Sequence, residues 1–170
     1  YNTKLLRMRG KVVLLGGIKR NALSVGFGSV GIFDKTYERT IWEVNGTIEL
    51  HGKAVFGHGS RICVGKEGVL SIGNNFINTA AMTIVCFRRI TIGDNVTTSW
   101  NTLVMDTDFH HLTDTKSGEV KPCTKEIIIE RLLSLDFINY HKLEQFDLIY
   151  DNSVPLKCTN NLFSFALPNV

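Results

Sequence analysis

No stretch of the sequence approaches the roughly 18 consecutive apolar residues that a membrane-crossing helix needs, so no membrane span is expected in the 170 residues. Lys11 through Gly17 is the nearest thing to a leader, but it is too short and has no small-residue cleavage site, so a signal peptide is not expected. The start, Tyr1-Asn2-Thr3-Lys4, lacks an initiator Met and reads as a fragment or a trimmed chain. The four cysteines, at 63, 86, 123 and 158, form no C-x-x-C pair and have no His at zinc-finger intervals. They read as reduced thiols of a cytoplasmic protein. Charge of one sign is also missing: 19 basic against 16 acidic side chains leave a net +3. That is too mild to argue for nucleic acid, although it suits a small anionic cofactor. Glycine is absent from the last 52 residues, although 15 glycines lie at or before Gly118, and leucine shifts the other way, with nine in the first 130 residues and eight in the final 40. One uniform architecture does not account for that split.

Long helical periodicity is missing from the first 130 residues. Short Ile/Val/Thr-rich stretches alternate there with Gly, Asn and Asp, the pattern of many short strands joined by tight turns. The stretches repeat. Ile72-Gly73-Asn74-Asn75-Phe76 and Ile92-Gly93-Asp94-Asn95-Val96 are one motif written twice, twenty residues apart, with Val64-Gly65 a weaker echo. Ile84, Ile90 and Val96 fall at steps of six, Ile72 and Asn78 continue that register upstream, and Ile48 and Ala54 repeat the step. One aliphatic residue per hexapeptide fits a short flat face. Three faces make a triangular coil of 18 residues, with aliphatic residues stacked inward and Gly or Asn at the corners. The twenty-residue interval is then one coil plus two residues, and Val85-Cys86-Phe87-Arg88-Arg89 is the expected place for that bulge. An antiparallel sandwich also uses short strands and Gly-rich turns, but it gives no reason for a repeated Ile-Gly-x-Asn. The Gly-x-Gly at Gly26-Phe27-Gly28 has no strand-then-helix context for a nucleotide loop and reads as a tight turn leading into the coils.

Ser99-Trp100-Asn101-Thr102-Leu103-Val104-Met105-Asp106-Thr107-Asp108-Phe109-His110-His111-Leu112 is the stretch richest in chemistry. A His beside carboxylates at a loop can act as general base near neutral pH, with Asp106 and Asp108 orienting the imidazole or stabilising its protonated form. Two adjacent His with nearby Asp could instead hold a metal. In an extended backbone, however, His110 and His111 point to opposite sides, and no metal is expected. Trp100 and Asn101 could line an acceptor groove, since aromatic faces suit sugar rings, and Trp100 could equally be packing.

The Ile-Gly-x-Asn repeats followed by Ser-Trp-Asn-Thr-Leu-Val-Met-Asp-Thr-Asp-Phe-His resemble the left-handed β-helix acyltransferases with hexapeptide repeats, in particular the O-acetyltransferases of surface-polysaccharide and capsule biosynthesis. Gly46-Thr47-Ile48-Glu49-Leu50 and Lys53-Ala54-Val55-Phe56-Gly57-His58-Gly59-Ser60 resemble the first coils of that branch, and the similarity covers roughly residues 26 to 129. It implies an all-β fold, a left-handed parallel β-helix forming a triangular solenoid. It also implies a cytoplasmic homotrimer with sites between subunits, and acetyl-CoA as acyl donor. The His after Asp-x-Asp-Phe, here His110, would be the base that deprotonates a sugar hydroxyl, supported by Asp106 and Asp108, with Trp100 and Asn101 towards the acceptor. In the related maltose and galactoside acetyltransferases an Asn of the preceding coil helps hold the acceptor, whereas the matching position here holds Thr79 or Ala81. The cofactor-binding residues are not assigned. A non-catalytic or degraded β-solenoid acting as scaffold and a sugar-nucleotide N-acyltransferase are the alternatives.

The resemblance divides the chain into a lead-in segment (1–40), a β-helix domain (41–129) with an active-site loop at about 106–124, an anomalous segment (130–150) and a truncated remnant of later coils (151–170). After Ile129 the family continues with Ile-Gly and Trp-Ile-Gly coils, whereas here Glu130 to His141 has no glycine and no hexapeptide step. Leu132, Leu133, Leu135 and Phe137 give no clean helical stripe, which counts against a helical insertion. A reading-frame slip near 130, compensated near 150, is the other explanation. Leu133 to Lys142 can be encoded so that the +1 frame reads Leu-Val-Trp-Ile-Ser-Ser-Thr-Ile-Thr. The gene sequence over codons 125 to 155 decides between them. In the slip reading, residues 131 to 149 form no ordered coils and the C-terminal part is disrupted.

Overall fold

A computed structural model describes residues 3–17, 20–34 and 36–130; the anomalous segment beyond Glu130 and the remnant of later coils lie outside the described residues. Over the described residues the chain is all-β, with no helix long and apolar enough to cross a membrane. Strands β1 (Thr3–Met8), β2 (Lys11–Leu14) and β3 (Leu23–Phe27) make a first round. Rounds two to four follow: β4 (Thr40–Val44), β5 (Thr47–Leu50) and β6 (Ala54–His58); β7 (Arg61–Val64), β8 (Val69–Ile72) and β9 (Phe76–Ala80); β10 (Thr83–Cys86), β11 (Arg89–Ile92) and β12 (Thr97–Thr98). The fifth round has β13 (Leu103–Met105), a loop with the hairpin β14 (Leu112–Thr113) and β15 (Val120–Lys121), and β16 (Ile127–Ile129).

Each of the first four rounds gives one strand to each of three sheets, and the fifth adds a strand to two of them: β1-β4-β7-β10-β13 in the first, β2-β5-β8-β11-β16 in the second and β3-β6-β9-β12 in the third. Every pairing in these sheets is parallel, which excludes the antiparallel sandwich and is consistent with a parallel β-solenoid. The residues expected to lead into the coils therefore include strands that already pair in register with the second round.

Stacking converts the hexapeptide pattern into columns. In the first sheet Trp42, Ile62, Ile84 and Val104 lie one above another, in the second Ile48, Leu70, Ile90 and Ile127, and nearly all are sealed from solvent. Each such Ile or Leu contributes about 1.5–3 kcal/mol by leaving water. Leu5 and Val12 continue these columns in the first round, and Met8 and Leu14 the neighbouring columns of Val44 and Leu50, but all four stay exposed there, at the end of the described stack. One column of the third sheet turns polar partway up. Asn78 sits between Phe56 and Thr98, its Oδ1 accepting from Ser60 Oγ (3.0 Å) and its Nδ2 donating to Thr98 Oγ1 (3.0 Å) and the Ser99 carbonyl (2.9 Å). A buried amide without such partners would be strongly destabilising, so Asn78 serves the interior.

The repeated Ile-Gly now has a steric cause. A Cβ on Gly73 would lie 2.4 Å from the Gly93 carbonyl carbon, and one on Gly93 would lie 1.8 Å from the Glu130 carbonyl oxygen, because the next round crosses directly over both. Asn75 and Asn95 follow at φ 62° and 56°, the left-handed conformation that Asn tolerates. The position of the bulge differs from expectation. Ile84 and Ile90 are six residues apart, so Val85–Arg89 holds no surplus. The extra pair instead lies where the third sheet returns to the first: Ala54 to Ile62, Phe76 to Ile84 and Val96 to Val104 are each eight residues, and Gly59, Ala81 and Asn101 turn there at φ 73°, 50° and 55°. The sequence conceals this because each strand presents two inward residues, so a six-residue count can land on the wrong one of the pair.

Candidate functional site

The loop between β13 and β16 leaves the stack where the first sheet turns into the second, and Asp106 forms its root. The register that pairs Val85 with Met105 brings Asp106 over Cys86, in the inward column of Val44 and Val64. A carboxylate can occupy this nearly apolar column because its oxygens take two backbone donors from the corner below: Phe87 N–H to Oδ1 at 2.7 Å and Arg88 N–H to Oδ2 at 2.8 Å. Charge-assisted bonds of this length are the strong kind. The Lys125 N–H returns to the Asp106 carbonyl at 2.9 Å and closes the loop, helped by the Thr107–Thr124 bridge and by Asp108 N–H donating to the Cys123 carbonyl at 3.3 Å. Burial, with the Asp106 charge next in size, pushes the Cys86 thiol up to about 12, so it stays protonated at neutral pH.

Above this root the expected base is presented outward. Thr107 Oγ1 accepts the Phe109 N–H at 3.1 Å and Asp108 Oδ1 accepts the His110 N–H at 2.9 Å. Both motif carboxylates thus hold backbone, and neither bonds the imidazole. His110 and His111 are exposed, with no hydrogen bond to the His110 imidazole among the described residues. No group of three or more His, Cys, Asp and Glu is assembled for a metal among the described residues. The hairpin beyond is closed by Asp114, whose Oδ1 accepts the Lys116 and Ser117 N–H groups at 2.8 Å each, with Gly118 at φ 72° completing the turn. Those two amides hold the Asp114 carboxyl below its ordinary range.

Trp100 and Asn101 lie on the other side of β13, at the corner where the third sheet returns to the first, so they leave the coil at a different corner from the loop. Trp100 is 37% exposed, and Asn101 is one of the three stacked left-handed residues, which gives Asn a conformational reason to be there. Thr79 is exposed and Ala81 buried.

Phe87 is the residue that reading the sequence missed. It sits at the corner below the loop, its ring 5.0 Å from that of Phe109 and nearly perpendicular to it, at 83°. The signal was available: Asp106 at the apolar column position marks the corner, and Phe87 is the first residue that its carboxylate holds. Comparison with protein-family models, with curated proteins and with solved structures finds no match to this chain.

Proposed function

We propose that the protein is an acetyl-CoA-dependent O-acetyltransferase built as a left-handed parallel β-helix. In this reading it works as a cytoplasmic homotrimer on a sugar hydroxyl in surface-polysaccharide or lipopolysaccharide biosynthesis. The observation that carries the reading is the placement of His110. Between β13 and β16 the stack of parallel rounds opens into a loop rooted in the core, and the imidazole stands exposed on that loop just past its anchored root. His110 would take the proton of the acceptor hydroxyl as its oxygen attacks the thioester carbonyl. The tetrahedral oxyanion then collapses, the C–S bond breaks, and the imidazolium returns the proton to the departing CoA thiolate. Within the described residues, Asp106 and Asp108 support this by fixing the backbone that carries the base.

A second reading, a non-catalytic β-solenoid scaffold, draws on the same geometry, since both motif carboxylates are engaged by backbone amides. Acetyl-CoA turnover with a panel of sugar hydroxyl and amine acceptors separates the readings. The enzyme reading expects thiol release that depends on a hydroxyl acceptor and falls by at least about a hundredfold in His110→Ala. Equal thioester cleavage by both proteins would sink it, and preference for amine acceptors would move it to N-acyl transfer. Sedimentation mass tests the trimer.

A further inference from the structure

We infer that Gly65, Phe87 and Phe109 form a positioning column that sets where His110 stands, an inference resting on the proposed base role of His110. Gly65 and Phe87 occupy one corner of two successive rounds, and Phe109 lies on the loop that leaves the next round at that corner. At the foot of the column is Gly65, where a Cβ would lie 2.8, 3.0 and 3.1 Å from Cδ1, Cε1 and Cγ of Phe87. An ordinary carbon–carbon contact is about 3.5–4.0 Å, so the Phe87 ring rests in space that only glycine leaves. Gly65 is absent from the positive-φ residues, so its glycine is explained by that ring and not by backbone conformation. Phe87 is fixed from the backbone side as well, since its N–H is held by Asp106.

The ring of Phe87 meets that of Phe109 edge to face at 5.0 Å. Phe109 adopts φ 61°, a region that bulky residues rarely enter. Asn or Gly would take this conformation more easily, and a large apolar side chain in it is 58% exposed. Local folding does not favour Phe here, while the contact with Phe87 does. Residue strain of this kind persists where neighbours over-determine it, and they do: Thr107 Oγ1 holds the amide of Phe109 and Asp108 Oδ1 that of His110. His110 is the next residue, so the direction in which the chain leaves Phe109 sets the position of the imidazole. Gly65 and Phe87 act on the base through Phe109 and are positioning residues.

The test uses the full chain with Gly65→Ala, Phe87→Ala, Phe109→Ala and the conservative Phe109→Tyr, each checked for fold by circular dichroism. The His110 side-chain NMR resonances, assigned with His110→Gln, report its surroundings without any turnover, and steady-state kinetics with acetyl-CoA report kcat and KM. Gly65→Ala, two rounds below the loop, should move the His110 resonances and lower kcat about tenfold or more with KM for acetyl-CoA within twofold, because displacements near 1 Å are costly to catalysis. Phe87→Ala and Phe109→Ala should do the same, their double variant should add little, and Phe109→Tyr should stay near wild type. If Gly65→Ala does not fold, the exposed Phe109→Ala carries the test. Unmoved His110 resonances in folded Gly65→Ala or Phe109→Ala overturn the column, while loss of turnover in His110→Ala would leave the base role standing. A wild-type chain without transferase activity overturns the base role, and the resonance shifts still judge the column.

Discussion

Replacing Asp106 tests whether this residue anchors the loop or serves the imidazole. Asp106→Ala removes a buried carboxylate that accepts two backbone N–H bonds at 2.7 and 2.8 Å. Bonds to a charged acceptor contribute about 1.5–3 kcal/mol each. Water can partly replace them at the loop root, so the net loss should be about 3–5 kcal/mol. In a domain of this size that lowers Tm by about 10–15 °C. Asp108 supplies the contrast, being half-buried and accepting one amide, that of His110. Asp108→Ala should cost about 0.5–1.5 kcal/mol. Urea unfolding of both variants gives the difference, and hydrogen exchange locates it, with the Phe87 and Arg88 amides losing protection only in Asp106→Ala. A cost below about 1 kcal/mol for Asp106→Ala, or equal costs for the two, would refute the assignment of Asp106 as a structural clamp.

Further expectations concern the interior and pH. Asn78→Ala should destabilise by about 2–4 kcal/mol in urea unfolding, because it opens a cavity and removes one of the hydrogen-bond partners of each of Ser60, Thr98 and the Ser99 carbonyl. The Asp114 carboxyl is depressed in the folded chain by the Ser117 and Lys116 amides. Its stabilisation is therefore complete above the ordinary carboxylate value of 3.8 and is lost as pH falls through the lower folded value. Exchange of those two amides should accelerate in that acidic window and, at neutral pH, in Asp114→Ala. Cys86 has the opposite sign: its contribution is present below the ordinary thiol value of 9.0 and lost as pH rises towards about 12. Urea midpoints of wild type should fall over that range more than those of Cys86→Ala, and native iodoacetamide should label Cys63 and Cys123 well before Cys86.

The sequence alone determined the repeat, the all-β class and the inward aliphatic residues. A six-residue spacing of Ile and Val with Gly-Asn corners is a local pattern, and local patterns survive in one dimension. The same reasoning marked His110 and its two carboxylates as the chemical segment. Where the surplus residues go was not legible, because strands with two inward residues allow a six-residue count to drift by two without changing the hydrophobic pattern. The partners of Asp106 and Asp108 were not legible either. The sequence offers both as groups that orient the imidazole or stabilise its protonated form; stacking places Asp106 over Cys86 in a core column and within reach of the Phe87 and Arg88 amides, roughly one coil away in sequence. Only tertiary structure decides this, because the nearest neighbours of a residue in a stack are the residues one round above and below. Gly65, Phe87 and Phe109 look unrelated along the chain; parallel pairing stacks the corners that hold Gly65 and Phe87, and the loop leaving the next round brings the Phe109 ring onto Phe87.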